Sequence, residues 1–156
     1  MNKIPFTPEG LEKIKKELEY LIKVERRKVI KAIEEARAHG DLSENAEYEA
    51  AKERQAHIEG KIQELSGILA NAEVIPPLNK APDRVQFGVK VKLLNLDTDE
   101  IVVYKIVGPY ETDPSKGIIS VNSPIAKALI GKEIGDVVQV KTPSGIKNFE
   151  ILDIEI

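Results

Sequence analysis

Three carboxylates lie close together in a short polar segment of the sequence: Asp41, Glu44 and Glu47. Carboxylate oxygens are hard ligands of the kind that Mg²⁺ prefers, and this ion commonly takes one or two of them while it keeps several of its waters. The residue types and their spacing therefore suit magnesium binding, with the remaining ligands supplied from elsewhere.

The same side chains also fit a purely structural role. Asp41 and Glu44 have the spacing of a capping box, which satisfies free N–H groups at the start of a helix, and acidic residues in a first turn suit the helix dipole. Most Asp-x-x-Glu sequences that precede a helix are explained in this way. A cap does not need all three carboxylates, however, so the sequence leaves both interpretations open.

A long helix is predicted on the N-terminal side of this segment. Thr7 is a suitable N-cap with Pro8 as the first helical residue, and His39 followed by Gly40 is a suitable end. The apolar stripe of this helix has one four-residue step, which shifts the seam locally. The stripe comprises Leu11, Ile14, Leu18, Ile22, Val29, Ala32 and Ala36.

A second helix follows shortly after, and its apolar residues recur at alternating heptad spacings. These residues are Ala51, Ile58, Ile62, Leu65, Leu69 and Ala72, with Gln55 at one seam position. Two long helices joined by a very short loop must run antiparallel, so residues 1–75 are predicted to form a coiled-coil hairpin with residues 40–48 at its tip. An exposed tip cannot exclude water. We therefore expect the carboxylates to act inside a cavity of another protein, on a metal ion which that protein already holds.

The second half of the chain is rich in Val, Ile, Gly and Thr. Residues 76–84 are predicted to be a proline-containing linker, and residues 85–156 a globular domain. Its strands are predicted near 89–93, 101–107, 118–121, 136–141 and 146–155. Ser123 and Pro124 predict the start of one short helix. The fold class is therefore α+β, with a helical hairpin followed by a small antiparallel sheet that carries one helix.

Composition excludes several classes of protein. The net charge is −3 at pH 7, so we expect weak or no binding to free nucleic acid. The chain contains no Cys, which excludes a disulfide framework and a thiolate zinc site and suits a reducing cytoplasm. We find no signal peptide and no apolar run long enough to span a bilayer, so a cytoplasmic protein without a membrane partner is expected.

Two stretches of the sequence resemble those of a known family. They are residues 40–48, GDLSENAEY, and residues 119–132, ISVNSPIAKALIGK, followed by GDVV at 135–138. They are similar to motifs of the GreA/GreB family of bacterial transcript-cleavage factors, and the resemblance extends over essentially the whole chain.

The resemblance implies an accessory factor that is not itself an enzyme. The coiled coil would enter the secondary channel of bacterial RNA polymerase, and the C-terminal domain, of FKBP-like fold, would dock at the channel rim. The polymerase active site would then cleave backtracked nascent RNA and rescue arrested complexes.

The resemblance also implies roles for individual residues in a monomeric factor. Asp41 and Glu44 would help to hold a catalytic Mg²⁺ that the polymerase supplies, so that the factor has no cofactor of its own. Arg37 and Lys52 would face the RNA 3′ end, although a solvated basic surface explains them equally well. Supporting contacts at the tip are implied for Leu42, Ser43, Asn45, Glu47 and Tyr48, and polymerase docking for Ser123, Pro124 and Ile125.

Three alternative functions make different demands on the sequence. A polymerase inhibitor of the same shape would carry a more acidic tip than residues 41–48. A prolyl isomerase needs an apolar pocket lined by aromatic residues, and the strand-rich half has few aromatics. A coiled-coil adaptor without metal chemistry would use the tip carboxylates only as helix caps.

Overall fold

The computed structural model describes residues 3–38 and 45–156. The chain forms two compact units, of which the first is Leu11–Ala72 and the second joins Asn2–Gly10 to Glu73–Ile156. The division predicted from the sequence assigns residues 1–75 to the hairpin. In the structure, residues 3–10 group with the C-terminal unit, in which Phe6 is completely buried.

The first unit is helical. Its elements are α1 (Pro8–Tyr20) from Leu11 onward, a π-helical segment (Leu21–Glu25), α2 (Arg26–Arg37) and α3 (Ala46–Ala70). Contacts between α2 and α3 join residues in reverse order. Arg26 binds Glu59 at N–O distances of 2.9 and 2.7 Å, whereas Asn45 reaches the carbonyl of Ala36 at 2.7 Å. This order confirms the predicted antiparallel hairpin.

The seam of the hairpin departs from the predicted stripe after the first turns. Ile22 is 38% exposed, and Ile33 is buried while its neighbour Ala32 is only partly so. The π-helical segment explains the change, because its wider turn adds a residue and rotates the following side chains about the axis. In α3 a similar one-residue difference buries Ile68 more fully than Leu69.

The strands of the chain form two sheets. Their bounds are β1 (Ile4–Phe6), β2 (Ala72–Val74), β3 (Lys90–Asn95), β4 (Ile101–Val107), β5 (Ile118–Ser120), β6 (Val137–Thr142) and β7 (Gly145–Glu155). β1 pairs with β2, and the larger sheet has the order β5-β4-β3-β7-β6. The bounds of β3 to β7 agree with the strands predicted from alternation. β1 and β2 were not predicted, and Ala72, which was predicted on the seam of the second helix, lies in β2.

One feature of the larger sheet corrects the prediction. β5 runs parallel to β4, with Ile119 opposite Ile106, so the sheet is mixed and not wholly antiparallel. A parallel neighbour requires a crossover, which residues 108–117 supply by way of the short helical turn Pro114–Lys116. Alternation in the sequence marks a strand but does not show which way its neighbour runs.

One face of the larger sheet is covered. The helix α4 (Pro124–Leu129) packs against it near β6, and Ala126 and Leu129 enter the core. The other buried members of this core are Val85, Val89, Val91, Leu93, Ile106, Val138, Val140, Phe149, Ile151 and Ile154. The α+β fold class with one short helix beside the sheet is thus confirmed. Within residues 3–38 and 45–156, no helix is long and apolar enough to cross a membrane.

Glu111 holds the N-terminal segment in the second unit. Its carboxylate accepts hydrogen bonds from the backbone N–H of Thr7 at 2.9 Å and of Gly108 at 3.2 Å, and from the Thr7 hydroxyl. The buried ring of Phe6 stacks on Tyr110 with 6.4 Å between centroids. Thr7 in turn accepts from the Gly10 N–H, which confirms its predicted role as an N-cap.

Candidate functional site

The predicted tip lies only partly within the described residues. Asp41, Leu42, Ser43 and Glu44 lie outside the described ranges, so their predicted roles stay predictions. The structure describes the residues on both sides, which are the end of α2 and the first turns of α3.

Asn45 is the N-cap of α3 and joins the two helices. Its side-chain oxygen accepts from the backbone N–H of Tyr48 at 3.0 Å, and its side-chain nitrogen donates to the carbonyl of Ala36 at 2.7 Å. The first bond satisfies a free donor of α3, and the second satisfies a free acceptor in the last turn of α2. The cap of α3 therefore belongs to Asn45, and the alternative that gives it to Asp41 does not describe this helix.

Glu47 and Glu49 lie in the first turn of α3, where a negative charge interacts favourably with the helix dipole. Both are exposed. Within the part of the chain that the structure describes, no group of three or more His, Asp or Glu side chains could hold a metal ion.

Arg37 and Tyr48 form a pair across the two helices. The guanidinium carbon of Arg37 lies 5.9 Å from the centroid of the Tyr48 ring, which is within the range of a cation–π interaction. Arg37 is exposed and the Tyr48 ring is half-buried. The contact fixes the direction of a cation close to the tip while it leaves the positive charge accessible to solvent.

The structure brings the two predicted cations, Arg37 and Lys52, to one place. Both line a shallow depression of about 220 Å³ between α2 and α3. Glu34 and Gln55 also line it, and the Lys52 ammonium donates to the side-chain oxygen of Gln55 at 3.3 Å. The role of Gln55 was not predicted, because a polar residue at a seam position indicates only a weak point in the coiled coil. Gln55 meets Lys52 because the two residues are three positions apart on α3 and therefore lie on the same face of that helix.

Ion pairs join the helices farther along the hairpin. The hydrogen bond from Arg26 lowers the pKa of the Glu59 carboxyl below its usual value, and Arg54 acts in the same way on Glu25 at 3.0 Å. These side chains are between 21% and 51% exposed, and ion pairs open to water contribute little to stability. They nevertheless show that ion pairs within the hairpin neutralise part of the basic surface.

The predicted docking residues lie at the start of α4. The Ser123 hydroxyl accepts from the Ala126 N–H at 3.2 Å and donates to the Ser120 carbonyl at 2.7 Å, which confirms the predicted helix start. Ile125 packs against the sheet core, and Pro124 is exposed. Of the three, Pro124 is the exposed side chain, whereas Ser123 and Ile125 are partly buried.

Comparison with known families gives a consistent result for both halves of the chain. Residues 4–74 match the family model described as transcription elongation factor, N-terminal. Residues 79–156 match the one described as transcription elongation factor, GreA/GreB, C-terminal.

Individual relatives extend this similarity over nearly the full length. The chain is 55% identical over 153 residues to the transcription elongation factor GreA of Thermodesulfovibrio yellowstonii, covering 98% of this chain and 97% of the relative. It is 54% identical to that of Ruegeria pomeroyi, covering 99% of both chains. Among solved structures, GreA factor homolog 1 of Thermus thermophilus is 27% identical with a TM-score of 0.46, covering 99% of this chain and 100% of that one.

Proposed function

The chain belongs to the GreA/GreB family of transcription elongation factors, and from this premise we propose that it stimulates RNA cleavage by bacterial RNA polymerase. Its coiled-coil tip enters the secondary channel, and the polymerase active site hydrolyses the backtracked RNA. The observation that carries the proposal is the family match over both halves, together with the GDLSENAEY motif at residues 40–48. Such a factor works in the bacterial cytoplasm, where the polymerase is.

Asp41 and Glu44 supply the chemistry of the tip in this proposal. Their hard oxygens suit Mg²⁺, and a second metal ion at a phosphodiester can activate the attacking water and stabilise the developing charge. The capping of α3 by Asn45 supports this assignment, because the helix does not depend on Asp41 for its N-cap. The factor has no cofactor of its own, since the ion belongs to the polymerase.

Arg37 and Lys52 act on the RNA in this proposal. They line one depression near the tip, and two cations beside one depression suit contacts with the phosphates of a displaced RNA 3′ end. The cation–π contact with Tyr48 holds the Arg37 side chain in one direction. Leu42, Ser43 and Glu47 complete the tip surface that meets the polymerase.

Docking at the channel rim is assigned to the start of α4. Pro124 makes the contact, because it is exposed, and Ser123 and Ile125 fix its position through the cap and the core. The factor acts as a monomer and has weak or no affinity for free nucleic acid.

The decisive experiment is a cleavage assay on a stalled, backtracked elongation complex with labelled RNA. The factor should accelerate the release of a short 3′ fragment, and the purified factor with Mg²⁺ but without polymerase should release none. An elongation complex whose cleavage rate stays the same, or falls, when the factor binds would favour an adaptor or an inhibitor instead. RNA hydrolysis by the factor alone would contradict its role as an accessory protein.

A further inference from the structure

A cavity of about 430 Å³ opens in the second unit and has no part in the proposed function. This volume falls within the range of small-molecule sites in proteins. The wall residues on which the argument rests are Pro8, Pro76, Pro77, Phe87, Lys90 and Lys105. All of them belong to the second unit, so the cavity is a feature of that unit by itself.

Two lysines give the cavity its charge. Lys90 on β3 and Lys105 on β4 are directly opposite each other in the antiparallel register. Like charges at such positions destabilise a sheet. Within residues 3–38 and 45–156, neither ammonium group has a hydrogen-bond or salt-bridge partner. On its other side Lys90 lies opposite Glu155 of β7, which offsets part of this repulsion, and an anion bound between the lysines would relieve the rest.

Much of the remaining wall is apolar. It includes Pro8, Pro76 and Pro77, whose φ angles are fixed by their rings, which restricts the backbone on this side of the cavity. Phe87 adds a half-buried aromatic ring, which can stack on a flat group. Gly88, with φ +91°, has nothing within 4 Å of where a Cβ atom would lie, and so leaves open space beside this ring.

We propose that this cavity binds a small organic anion with a flat apolar body, such as an aryl carboxylate, sulfonate or phosphate. The lysines hold the anionic group, and the prolines and Phe87 enclose the rings. Glu9 also lines the cavity, and its negative charge opposes the binding of an anion. The site therefore predicts effects of opposite sign for its basic and acidic residues.

The test uses the full-length protein and the probe 1-anilinonaphthalene-8-sulfonate, whose fluorescence rises on binding. N-Phenyl-1-naphthylamine serves as the uncharged probe with the same rings. We expect saturable binding of the sulfonate, and a Kd about tenfold higher for the Lys90→Gln, Lys105→Gln double variant because the attraction of two charges is lost. Lys92→Gln is the matched control, since Lys92 lies on the same strand but does not line the cavity.

Glu9→Gln keeps both lysines and should bind the sulfonate about threefold more tightly, because it removes a repulsive charge. The uncharged probe should bind all variants alike. Inorganic phosphate should compete with the sulfonate if the lysines alone provide most of the affinity, and an aryl phosphate should compete at lower concentration. The proposal is overturned if the sulfonate does not bind saturably, if the double lysine variant binds it as tightly as the wild type does, or if Glu9→Gln weakens its binding.

Discussion

Asn45 shows what a single side chain contributes at the tip of the hairpin. Its oxygen caps α3 and its nitrogen binds the last turn of α2. One amide therefore closes the hairpin from both sides. From the sequence, the neighbouring carboxylates Asp41 and Glu44 could belong either to a helix cap or to a metal site. Because Asn45 is the N-cap, α3 does not depend on them for that cap.

The double variant Asp41→Asn, Glu44→Gln tests the role of these carboxylates. An amide oxygen is a far poorer ligand for Mg²⁺ than a carboxylate in competition with water, so stimulated cleavage should fall by about tenfold or more, and added Mg²⁺ should partly restore it. Thermal stability should change by at most about 1 kcal/mol, the size of a helix-dipole contribution. Polymerase affinity should be unchanged. Full cleavage activity in this variant would remove both residues from the metal site.

Asn45 can be dissected with two substitutions. Asn45→Ala loses the cap and the bond to Ala36, and should destabilise the hairpin by about 1–2 kcal/mol. Asn45→Asp keeps the oxygen that caps α3 but cannot donate to the Ala36 carbonyl, so its effect should be smaller than that of Ala. Chemical denaturation followed by circular dichroism measures both. Equal losses for Asp and Ala would show that the bond to Ala36, and not the cap, dominates.

Gly60 and Gly67 lie inside the helix α3, and nothing in the sequence explains why glycine occupies these two positions. Close packing within the described part of the chain is not the reason, because none of its atoms lies within 4 Å of where a Cβ atom of Gly60 or Gly67 would be. Each glycine therefore weakens the helix through its backbone freedom without giving space to a neighbour.

Gly60→Ala should consequently stabilise the protein by about 1 kcal/mol, since Ala loses less backbone entropy in a helix. The matched control is Gly117→Ala. Gly117 has φ +73°, and a Cβ atom there would lie 2.5 Å from the Val103 carbonyl oxygen, so this substitution should be destabilising. Thermal denaturation of the two variants should move the midpoint in opposite directions. A decrease for Gly60→Ala would reveal a contact that requires glycine.

The second unit is built from two separate segments of the sequence, residues 3–10 and residues 73–156. Phe6 is completely buried in it, and Thr7 is held by Glu111. The segment before α1 is therefore part of the structure that the C-terminal residues build.

A fragment of residues 76–156 should accordingly unfold at a lower temperature than the second unit of the full-length protein, because its core lacks Phe6. Phe6→Ala in the full-length chain provides the matched control and should cost about 3–5 kcal/mol, as for other buried aromatic residues. Added peptide of residues 3–10 should raise the unfolding midpoint of the fragment.

The fragment of residues 76–156 should not stimulate RNA cleavage, whereas residues 1–75 should do so weakly at high concentration. If residues 76–156 stimulate cleavage alone, the tip is not the active element.

The helices, most of the strands and the family resemblance could be predicted from the sequence. The helix start at Thr7 and Pro8, the antiparallel hairpin and the strands are local consequences of capping, apolar spacing and alternation, and all of these are present in the structure. The GDLSENAEY motif was also sufficient for the family resemblance, because it depends only on the order of residues.

The contacts between these elements could not be predicted from the sequence and are known only from the tertiary structure. The π-helical segment that exposes Ile22, the parallel pairing of β5 with β4, and the bond from Asn45 to Ala36 all depend on contacts between distant parts of the chain. The same is true of Glu111, which meets Thr7 across a separation of 104 residues, and of the two lysines that face each other in the sheet. Local spacing restricts which side chains share a face, but the free energy of packing selects their partners, and that selection cannot be read from neighbouring residues alone.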